Sequence, residues 1–432
     1  MITKFNFKDK TIKSYAIRKL TPFECFRLMG VRDDVIRTMQ STNAQAAERV
    51  PGYKGKGKAD DMAVSASQQY KQAGNSIVVD VLAAIYQQLW YPKEPKREAQ
   101  TSFFADFFPE DQLPPYPVDK NHGEKLILTT FSGYDSQLMA ADVLAQQHPD
   151  FHWTCVGWSD IDKYACQMHD LIFPQFADKA LGDITKIDWQ QVKNNVGGQE
   201  IDLFTYSSPC QDISQAGKQM GLKEGSDTRS ALLWRVADAI EVLRPKYLLQ
   251  ENVAALVSEK FMPDFQKWLD KLSSLGYVSR WARLNAKDYG VPQNRDRVFC
   301  LSMRKDVAFD YQFPDPIPLK RKLEDVLQEE VDIRFFLKDE AVSKFLQAND
   351  KDTCVFHQFE IEPSHKNAMA LKAILTLYIE EAHLWYCTPK ELQEKISSAH
   401  EDIMPLFNDW KENGKFANPK LDNLYHQFLE RK

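Results

Sequence analysis

Short apolar runs alternate with helical segments through the middle of the chain. The apolar runs lie at 126–130, 154–158, 202–206, 247–250 and 298–302. Runs of this length that end in polar turns are typical of strands buried on both faces of a parallel sheet. The segments between them, such as 134–147 and 229–243, have helical spacing. This alternation predicts an α/β fold with a doubly wound, Rossmann-like sheet.

Helical patterns dominate both ends of the chain. Residues 17–31 predict a helix capped by Thr21 with Pro22 in its first turn, and residues 76–90 predict a second, mostly apolar helix. No strand is expected near the C-terminus, where 366–432 has amphipathic helical spacing.

A Pro-rich stretch from Pro92 to Pro117 separates the N-terminal helices from the alternating region. The strand-like runs stop after about residue 335. The sequence therefore predicts four parts, which are an N-terminal segment at 1–90, a linker at 91–120, an α/β domain at 121–335 and a mainly helical region at 336–432.

The composition is that of a globular protein. Of the 432 residues, 43% are hydrophobic and 27% are charged, which excludes a largely disordered or fibrous chain. No window approaches the roughly 20 apolar residues that span a bilayer, and the N-terminus lacks the apolar region of a secretory signal. The seven cysteines are scattered, so we expect reduced thiols rather than a disulfide framework. We therefore expect a cytoplasmic protein with no membrane segment.

Charge is distributed unevenly along the chain. The net charge is −6, yet the first 90 residues carry 14 Lys and Arg against 8 Asp and Glu. A basic N-terminal part on an acidic body is consistent with a local phosphate-binding face. An ordinary solvated helix surface explains the same charges equally well.

Small and acidic residues follow the first strands of the predicted sheet. The first strand leads into Phe131-Ser132-Gly133-Tyr134, which contains a glycine but not the GxGxxG pattern of dinucleotide sites. Asp160 follows the second strand, where a carboxylate hydrogen-bonds the ribose in nucleotide-binding sheets, and Asp183 is a third acid of this kind. Each feature alone also fits a strand–helix turn or a helix cap.

A cysteine and an acid follow the next two predicted strands. The spacing between Cys210 and Glu251 suits one loop, one helix and one strand, so we expect them at the ends of neighbouring strands. A lone cysteine is usually a small buried apolar residue, but a nucleophile beside an acid indicates covalent catalysis. Arg295 and Arg297 precede the last strand with the i, i+2 spacing that points two side chains the same way, toward a carbonyl oxygen or a phosphate.

Taken together, these motifs resemble those of the DNA cytosine-5 methyltransferases. The matching segments are PCQ at 209–211, ENV at 251–253, QNRDR at 293–297, YKQAGNSIVVDVL at 70–82 and RKLTPFECFRLMG at 18–30. Their joint occurrence with consistent spacing makes the resemblance specific. It implies a methyltransferase sheet that uses S-adenosylmethionine, releases S-adenosylhomocysteine and acts on double-stranded DNA, in restriction–modification or in phage or host DNA modification.

The resemblance also implies the residues of the cofactor pocket. The turn at 131–134 would hold the methionine side, Asp160 the ribose hydroxyls and Asp183 the adenine amino group, with Ile161 packed on the adenine. The remaining residues that the resemblance implies for this pocket are Asn75, Ser76, Pro209 and Leu232. Gln211 and Ser214 are the implied contacts to the DNA backbone.

The mechanism that the resemblance implies is attack of the Cys210 thiolate on C6 of a flipped cytosine. Glu251 would protonate N3, and Arg297, supported by Arg295, would stabilise the charge that develops at O2. C5 then takes the methyl group, and a base, which we expect to be water, removes the C5 proton. The Gly-containing segment 212–228 is expected to close over the target.

The motifs occur in a different order from that of the family. The RKLTP helix and the QAGNS segment, which come last in the family, come first here, which implies a circular permutation. Asp135 stands where the family often has glycine, and Ser207-Ser208 replaces a pair of glycines. Both differences affect turns that border the implied site.

Target recognition in this family lies between the QNRDR motif and the RKLTP helix. In the permuted order that leaves only roughly 340–432 and the basic stretch 1–16. Residues 349–432 carry 14 acidic and 10 basic side chains, and acidic helices are poor candidates for a DNA groove surface. This region is therefore an atypical recognition domain, a docking module for a second, target-recognising subunit, or a packing element.

Two other functions remain open at this level. One is an RNA cytosine-5 methyltransferase with the same chemistry, and the other is a catalytically silent binding protein. Retention of Cys210, Glu251 and Arg297 argues against the silent protein.

Two cysteines and two histidines toward the C-terminus have spacings that also occur in zinc sites. The residues with suitable spacing are Cys354, His357, His383 and Cys387. Pairs of this kind are usually incidental, so no metal is expected.

Overall fold

The computed structural model describes most of the chain. The described residues are 2–6, 11–15, 17–55, 57–92, 123–208, 232–338, 353–356, 365–382 and 389–430. They form two compact units, of which one comprises residues 22–327 and the other comprises residues 1–21 with 328–432.

The larger unit contains a six-stranded sheet. Its strands are β3 (Lys125–Thr130), β4 (Trp153–Ser159), β5 (Leu203–Tyr206), β6 (Tyr247–Val253), β7 (Tyr277–Asn285) and β8 (Asp296–Arg304). They lie in the order β4-β3-β5-β6-β8-β7. The first four are parallel, and β8 is antiparallel to both of its neighbours. Because the order reverses at β3, the sheet has a topological switch point, where open α/β sheets bind ligands.

Helices cover both faces of this sheet. They are α1 (Pro22–Arg27), α2 (Asp33–Met39), α3 (Asn43–Arg49), α4 (Ala66–Asn75), α5 (Val79–Trp90), α6 (Ser136–Gln147), α7 (Lys163–Ile172), α8 (Trp189–Asn195), α9 (Leu233–Leu243) and α10 (Met262–Ser274). Apolar residues of α5 and α6, such as Leu82 and Leu138, pack in one core with Ile127 of β3. A second core holds Ile240 of α9 and Trp268 of α10. A parallel sheet needs this double cover because its strands are apolar on both faces.

The smaller unit contains a three-stranded antiparallel sheet and a group of helices. Its strands are β1 (Ile2–Asn6), β2 (Thr11–Tyr15) and β9 (Thr353–Phe356), in the order β2-β1-β9. Its helices are α11 (His365–Glu381), α12 (Pro389–Ser398), α13 (His400–Asn413) and α14 (Pro419–Glu430). Leu371, Ile374, Phe407, Trp410 and Tyr425 belong to its core, which is separate from both cores of the larger unit.

The doubly wound sheet and the helices predicted within 366–432 are confirmed over the described residues, but two predictions about elements are wrong and one strand has no predicted counterpart. The helix predicted over 17–31 is shorter: α1 spans only Pro22–Arg27, residues 28–31 are not helical, and the Lys19 N–H donates to the Phe335 carbonyl instead. Strand β9 lies beyond residue 335, where no strand was expected. Strand β7 has no counterpart among the predicted runs.

None of the helices in the described parts of the chain combines the length and apolarity that crossing a membrane requires. Within the same residues, no cluster of His, Cys, Asp and Glu is arranged to hold a metal ion. Of the cysteines and histidines weighed for zinc, His357, His383 and Cys387 lie outside the described residues.

Candidate active site

A cavity of about 320 Å³ opens at the carboxyl ends of the parallel strands. The residues that follow β3, β4 and β5 line it, together with the end of β6 and the last turn of α4. This position is the switch point of the sheet, where the strand order predicts a ligand site.

The turn after β3 forms one wall of the cavity and has an unusual backbone. Phe131, Gly133 and Asp135 have φ values of 53°, 59° and 68°, in the left-handed region that residues other than glycine rarely occupy. The Gly133 N–H donates to Asp160 Oδ2 at 2.8 Å, and the Ser132 N–H donates to the Ser159 carbonyl at 3.1 Å. These bonds fix the turn against the end of β4.

The Asp135 side chain holds the same turn in place through hydrogen bonds to β3 and α6. Its buried carboxylate accepts hydrogen bonds from Thr129 Oγ1 at 2.7 Å and from the Leu138 N–H at 3.2 Å, and it caps helix α6. His169 Nε2 lies 3.6 Å from the carboxylate and is buried as well. Burial raises the pKa of Asp135 to about 6, against the opposing effect of His169. The acid in the usual glycine position therefore ties the turn to α6.

The residues that follow β4 give the cavity an acidic and an apolar border, and a further acid, Asp183, lies later in the chain. Asp160 accepts from the N–H groups of Gly133 and Asp162, and burial raises the pKa of its carboxyl group. The side chain of Ile161 lines the cavity yet is 74% exposed. Asp183 caps a short 3-10 helix through the Thr185 N–H, which lowers the pKa of that carboxyl group.

The end of helix α4 forms a second wall of the cavity. Ser76 Oγ donates to Ser136 Oγ at 3.2 Å, which joins this wall to the start of α6. Arg295 Nη2 donates to the carbonyls of Gly74 and Ser76 at 2.8 and 2.6 Å. Lys71 Nζ lies 2.6 Å from Asp162 Oδ2. These four contacts tie the segment to the start of α6, to the residue before β8 and to the residue before α7.

An ion pair lies at the end of β6. Arg297 Nε is 3.1 Å from Glu251 Oε1, and the Glu251 side chain is only 12% exposed. Burial raises the pKa of Glu251, although Arg297 and Arg295 oppose the rise. Asn252 Nδ2 donates to the Ser208 carbonyl at 3.3 Å, which holds the end of β5 beside β6. The residue after Glu251 thus contacts Ser208, which precedes Cys210 by two positions in the chain.

A family model described as C-5 cytosine-specific DNA methylase matches residues 2–90 and 139–401, which is more than half of the chain. The chain belongs to this family. Methylases of this family depend on S-adenosylmethionine. The permuted order of the motifs remains a prediction.

Two curated relatives match part of this chain. A type II methyltransferase, M2.ScrFI, from Lactococcus lactis subsp. cremoris is 44% identical over 177 residues, or 41% of this chain and 47% of that protein. The orphan methyltransferase M.SssI from Spiroplasma monobiae is 42% identical over 145 residues, or 32% and 38%. The chain therefore spans less than half of each relative. The solved Dnmt2 methyltransferase of S. pombe overlays with a TM-score of 0.38 at 18% identity, over 52% of this chain and 67% of that one.

The cavity brings together every predicted site residue that the structure describes. These residues are Asn75, Ser76, Phe131, Ser132, Gly133, Tyr134, Asp160, Ile161, Asp183, Leu232, Glu251, Arg295 and Arg297. Four further predicted residues, Pro209, Cys210, Gln211 and Ser214, lie outside the described residues, as does the whole of the predicted closing segment 212–228. Arg295 precedes β8 and binds backbone carbonyls, so it and Arg297 share the cavity but have different partners.

Some lining residues had no role in the sequence analysis. They are Lys71, Gln72, Ser136, Gln137 and Asn252. Lys71 and Gln72 belong to the YKQAGNS segment and Asn252 to ENV, so the motifs contained them. Spacing does not predict the bonds of Lys71 to Asp162 and of Asn252 to the Ser208 carbonyl, because they join positions that are far apart in the chain.

Proposed function

We propose that this chain is a DNA (cytosine-5-)-methyltransferase that transfers a methyl group from S-adenosylmethionine to C5 of cytosine in double-stranded DNA. A single observation carries the proposal. One cavity joins a tight turn and an acid at the switch point of the sheet to a buried Glu251–Arg297 pair at the end of a neighbouring strand. The first half suits a nucleoside cofactor, and the second suits a base with polar ring atoms.

The residues of the cavity fit the cofactor. Each carboxylate oxygen of Asp160 accepts one backbone N–H and keeps further acceptor capacity for ribose hydroxyls. Ile161 offers an exposed apolar face on which an adenine ring can pack. Asp183 would accept from the adenine amino group, and the turn at 131–134 would hold the methionine side. Bound S-adenosylmethionine supplies the electrophilic methyl group.

The proposed chemistry at the base uses Cys210 and the buried pair. The Cys210 thiolate forms a bond from Sγ to C6 of the flipped cytosine, and the ring electrons move toward C5. Glu251 supplies the proton to N3, and a raised pKa favours the acid form that this step needs. Arg297 stabilises the charge at O2. After C5 has gained the methyl group, water takes the C5 proton and the electrons of that C–H bond form the C5–C6 double bond. The Cys210 thiolate then leaves C6, and N3 returns its proton to Glu251.

We also propose that the motifs are circularly permuted. Residues 17–90 then supply the part of the site whose motifs come last in the chain order of the family. The hydrogen bonds from Arg295 to Gly74 and Ser76 support this, since they join the early segment to the catalytic sheet. Target recognition would then fall to the smaller unit or to a separate subunit.

The test is base-resolution mapping of 5-methylcytosine in a host that lacks cytosine methylation. The wild-type chain is expressed alone, beside Cys210→Ser. We expect methylation at one short sequence with the wild type and none with the variant. Wild-type protein should also form a covalent adduct with 5-fluorocytosine DNA, because fluorine at C5 blocks the final elimination.

Two results would count against the proposal. An adduct that persisted in Cys210→Ser would remove that residue as nucleophile. Absence of methylation by a wild-type chain that still binds S-adenosylhomocysteine would show that the chain by itself does not methylate DNA. Methylation of tRNA, and of DNA in the presence of a recognition subunit, would be tested next.

A further inference from the structure

Gln72 lies on helix α4 among the residues that line the cavity. Its side chain is buried, with only 7% of the residue exposed. Neither its amide nitrogen nor its amide oxygen has a hydrogen-bond partner among the residues that the structure describes. A buried amide with both atoms unpaired is rare in folded proteins.

Such an amide destabilises the protein unless something else satisfies it. Each unpaired buried donor or acceptor leaves its desolvation uncompensated and lowers the stability of the fold. Gln69, one turn earlier on α4, shows the usual solution, because its amide donates to the Val64 carbonyl at 2.8 Å and accepts from Gln40 at 3.2 Å. Gln72 faces a cavity instead, so a ligand in that cavity is the natural partner.

The neighbours of Gln72 indicate which part of the ligand it meets. Ser76 lies four residues later, as the C-cap residue of α4, and its hydroxyl hydrogen-bonds Ser136 at the start of α6. That contact places this wall beside the turn after β3, on the methionine side of the proposed cofactor pocket. The methionine side carries a carboxylate and an ammonium group, which need acceptors and donors of their own.

The cations around the cavity are already engaged. Lys71 pairs with Asp162 at 2.6 Å, and Arg297 pairs with Glu251 at 3.1 Å. Arg295 donates to backbone carbonyls at the end of α4. Within the described part of the cavity, a ligand carboxylate is therefore left to neutral donors, such as backbone N–H groups and side-chain amides.

We propose that Gln72 binds the amino-acid end of the methyl donor, with its Nε2 donating to the carboxylate and its Oε1 accepting from the ammonium group. The inference rests on the proposed function, since it takes S-adenosylmethionine and its product as the ligands. It adds a binding residue and assigns it to one end of the cofactor.

The test compares two ligands on Gln72→Leu by calorimetric titration. S-Adenosylhomocysteine carries the amino-acid end, and 5′-methylthioadenosine lacks it. We expect the affinity for S-adenosylhomocysteine to fall on the order of 10- to 100-fold, as loss of a hydrogen bond to a charged group implies. The affinity for 5′-methylthioadenosine should change less than about twofold. The ligand-free variant should melt no lower than the wild type, because an unpaired amide has been replaced by an apolar group.

Gln69→Leu is the matched control on the same helix. It removes an amide that has protein partners, so it should lower the melting temperature and leave the affinity ratio of the two ligands unchanged. If Gln72→Leu does not fold, Gln72→Met supplies the same comparison with an unbranched side chain. The inference would be overturned if Gln72→Leu lost affinity equally for both ligands, or lost affinity for neither. A wild-type chain that bound neither ligand would overturn the proposed function itself.

Discussion

Glu251 combines a buried carboxyl group with a guanidinium neighbour, and the balance between them sets its protonation. Burial favours the neutral form and raises the pKa, and Arg297 at 3.1 Å favours the charged form. The net direction is upward. An acid that donates to N3 must carry its proton, so turnover should fall as the pH rises through the raised pKa of Glu251.

We predict that Glu251→Gln lowers turnover by roughly 100-fold or more, the usual contribution of a positioned acid. The fall of turnover with rising pH should disappear with it, and the affinity for S-adenosylhomocysteine should change little. Glu241→Gln, on the exposed face of α9, is the control and should match the wild type. The measurement is a pH profile of turnover beside a ligand titration. Equal losses of turnover and affinity would indicate a structural role for Glu251.

At the residue scale, the sequence predicts which residues line the site where they follow a predicted strand or belong to a recognisable motif. Glu251 is predicted from the ENV motif, Asp160 from its place after the second strand and Ile161 from the family resemblance, and all three line the cavity. The partners of these residues were not predictable, because hydrogen bonds such as Arg295 to Ser76 join positions that are far apart in the chain. An unpaired amide such as that of Gln72 becomes visible only when all its neighbours are placed.

At the level of elements, Arg295 connects the end of helix α4 to the residues before β8. The last carbonyls of a helix lack partners within it, and a cation there satisfies them. Arg295 donates to the carbonyls of Gly74 and Ser76, and Ser76 lines the proposed cofactor pocket. Arg297, two residues later, contacts Glu251 instead. The two arginines should therefore affect different steps.

We predict that Arg295→Met lowers the affinity for S-adenosylhomocysteine by about tenfold, since the wall of the pocket loses charge-assisted hydrogen bonds. Arg297→Met should leave that affinity within about twofold and lower turnover at saturating cofactor by roughly 100-fold, as loss of one stabilising donor does in other enzymes. Ligand titration and steady-state kinetics on both variants separate the two effects. If both variants lost the same property, the division of roles would be wrong.

Elements were predictable where burial alone dictates the pattern. Strands β3 to β6 are parallel and covered on both faces, so their sequences are continuous apolar runs. Strand β7 lies at the edge of the sheet and includes Ser279, Arg280 and Arg283, which break the run. Residues 17–20 have a helical pattern but pair with 335–337 through backbone hydrogen bonds, which local spacing does not encode.

The whole molecule contains cores that do not overlap between its two compact units. The cores of the larger unit hold residues such as Leu128 and Leu249, and that of the smaller unit holds residues such as Leu375 and Trp410. Among the described residues, all that line the cavity belong to the larger unit. A ligand stabilises the part of a protein that must be folded to bind it.

We predict that S-adenosylhomocysteine protects the two units unequally from hydrogen exchange. At a ligand concentration of about 100 times Kd, binding adds about 2.7 kcal/mol to the stability of the folded binding unit. Amides of β3 and β6 that exchange through opening of that unit should then slow by about 100-fold. Amides of α11 and α13 should exchange at the rate of the ligand-free protein, because opening of the smaller unit need not disturb the cavity. Mass spectrometry of peptides from both units gives the comparison, with 5′-methylthioadenosine as a weaker ligand for the same cavity. Equal slowing in both units would show that they open together as one cooperative body, and target recognition by the smaller unit would then be coupled to cofactor binding.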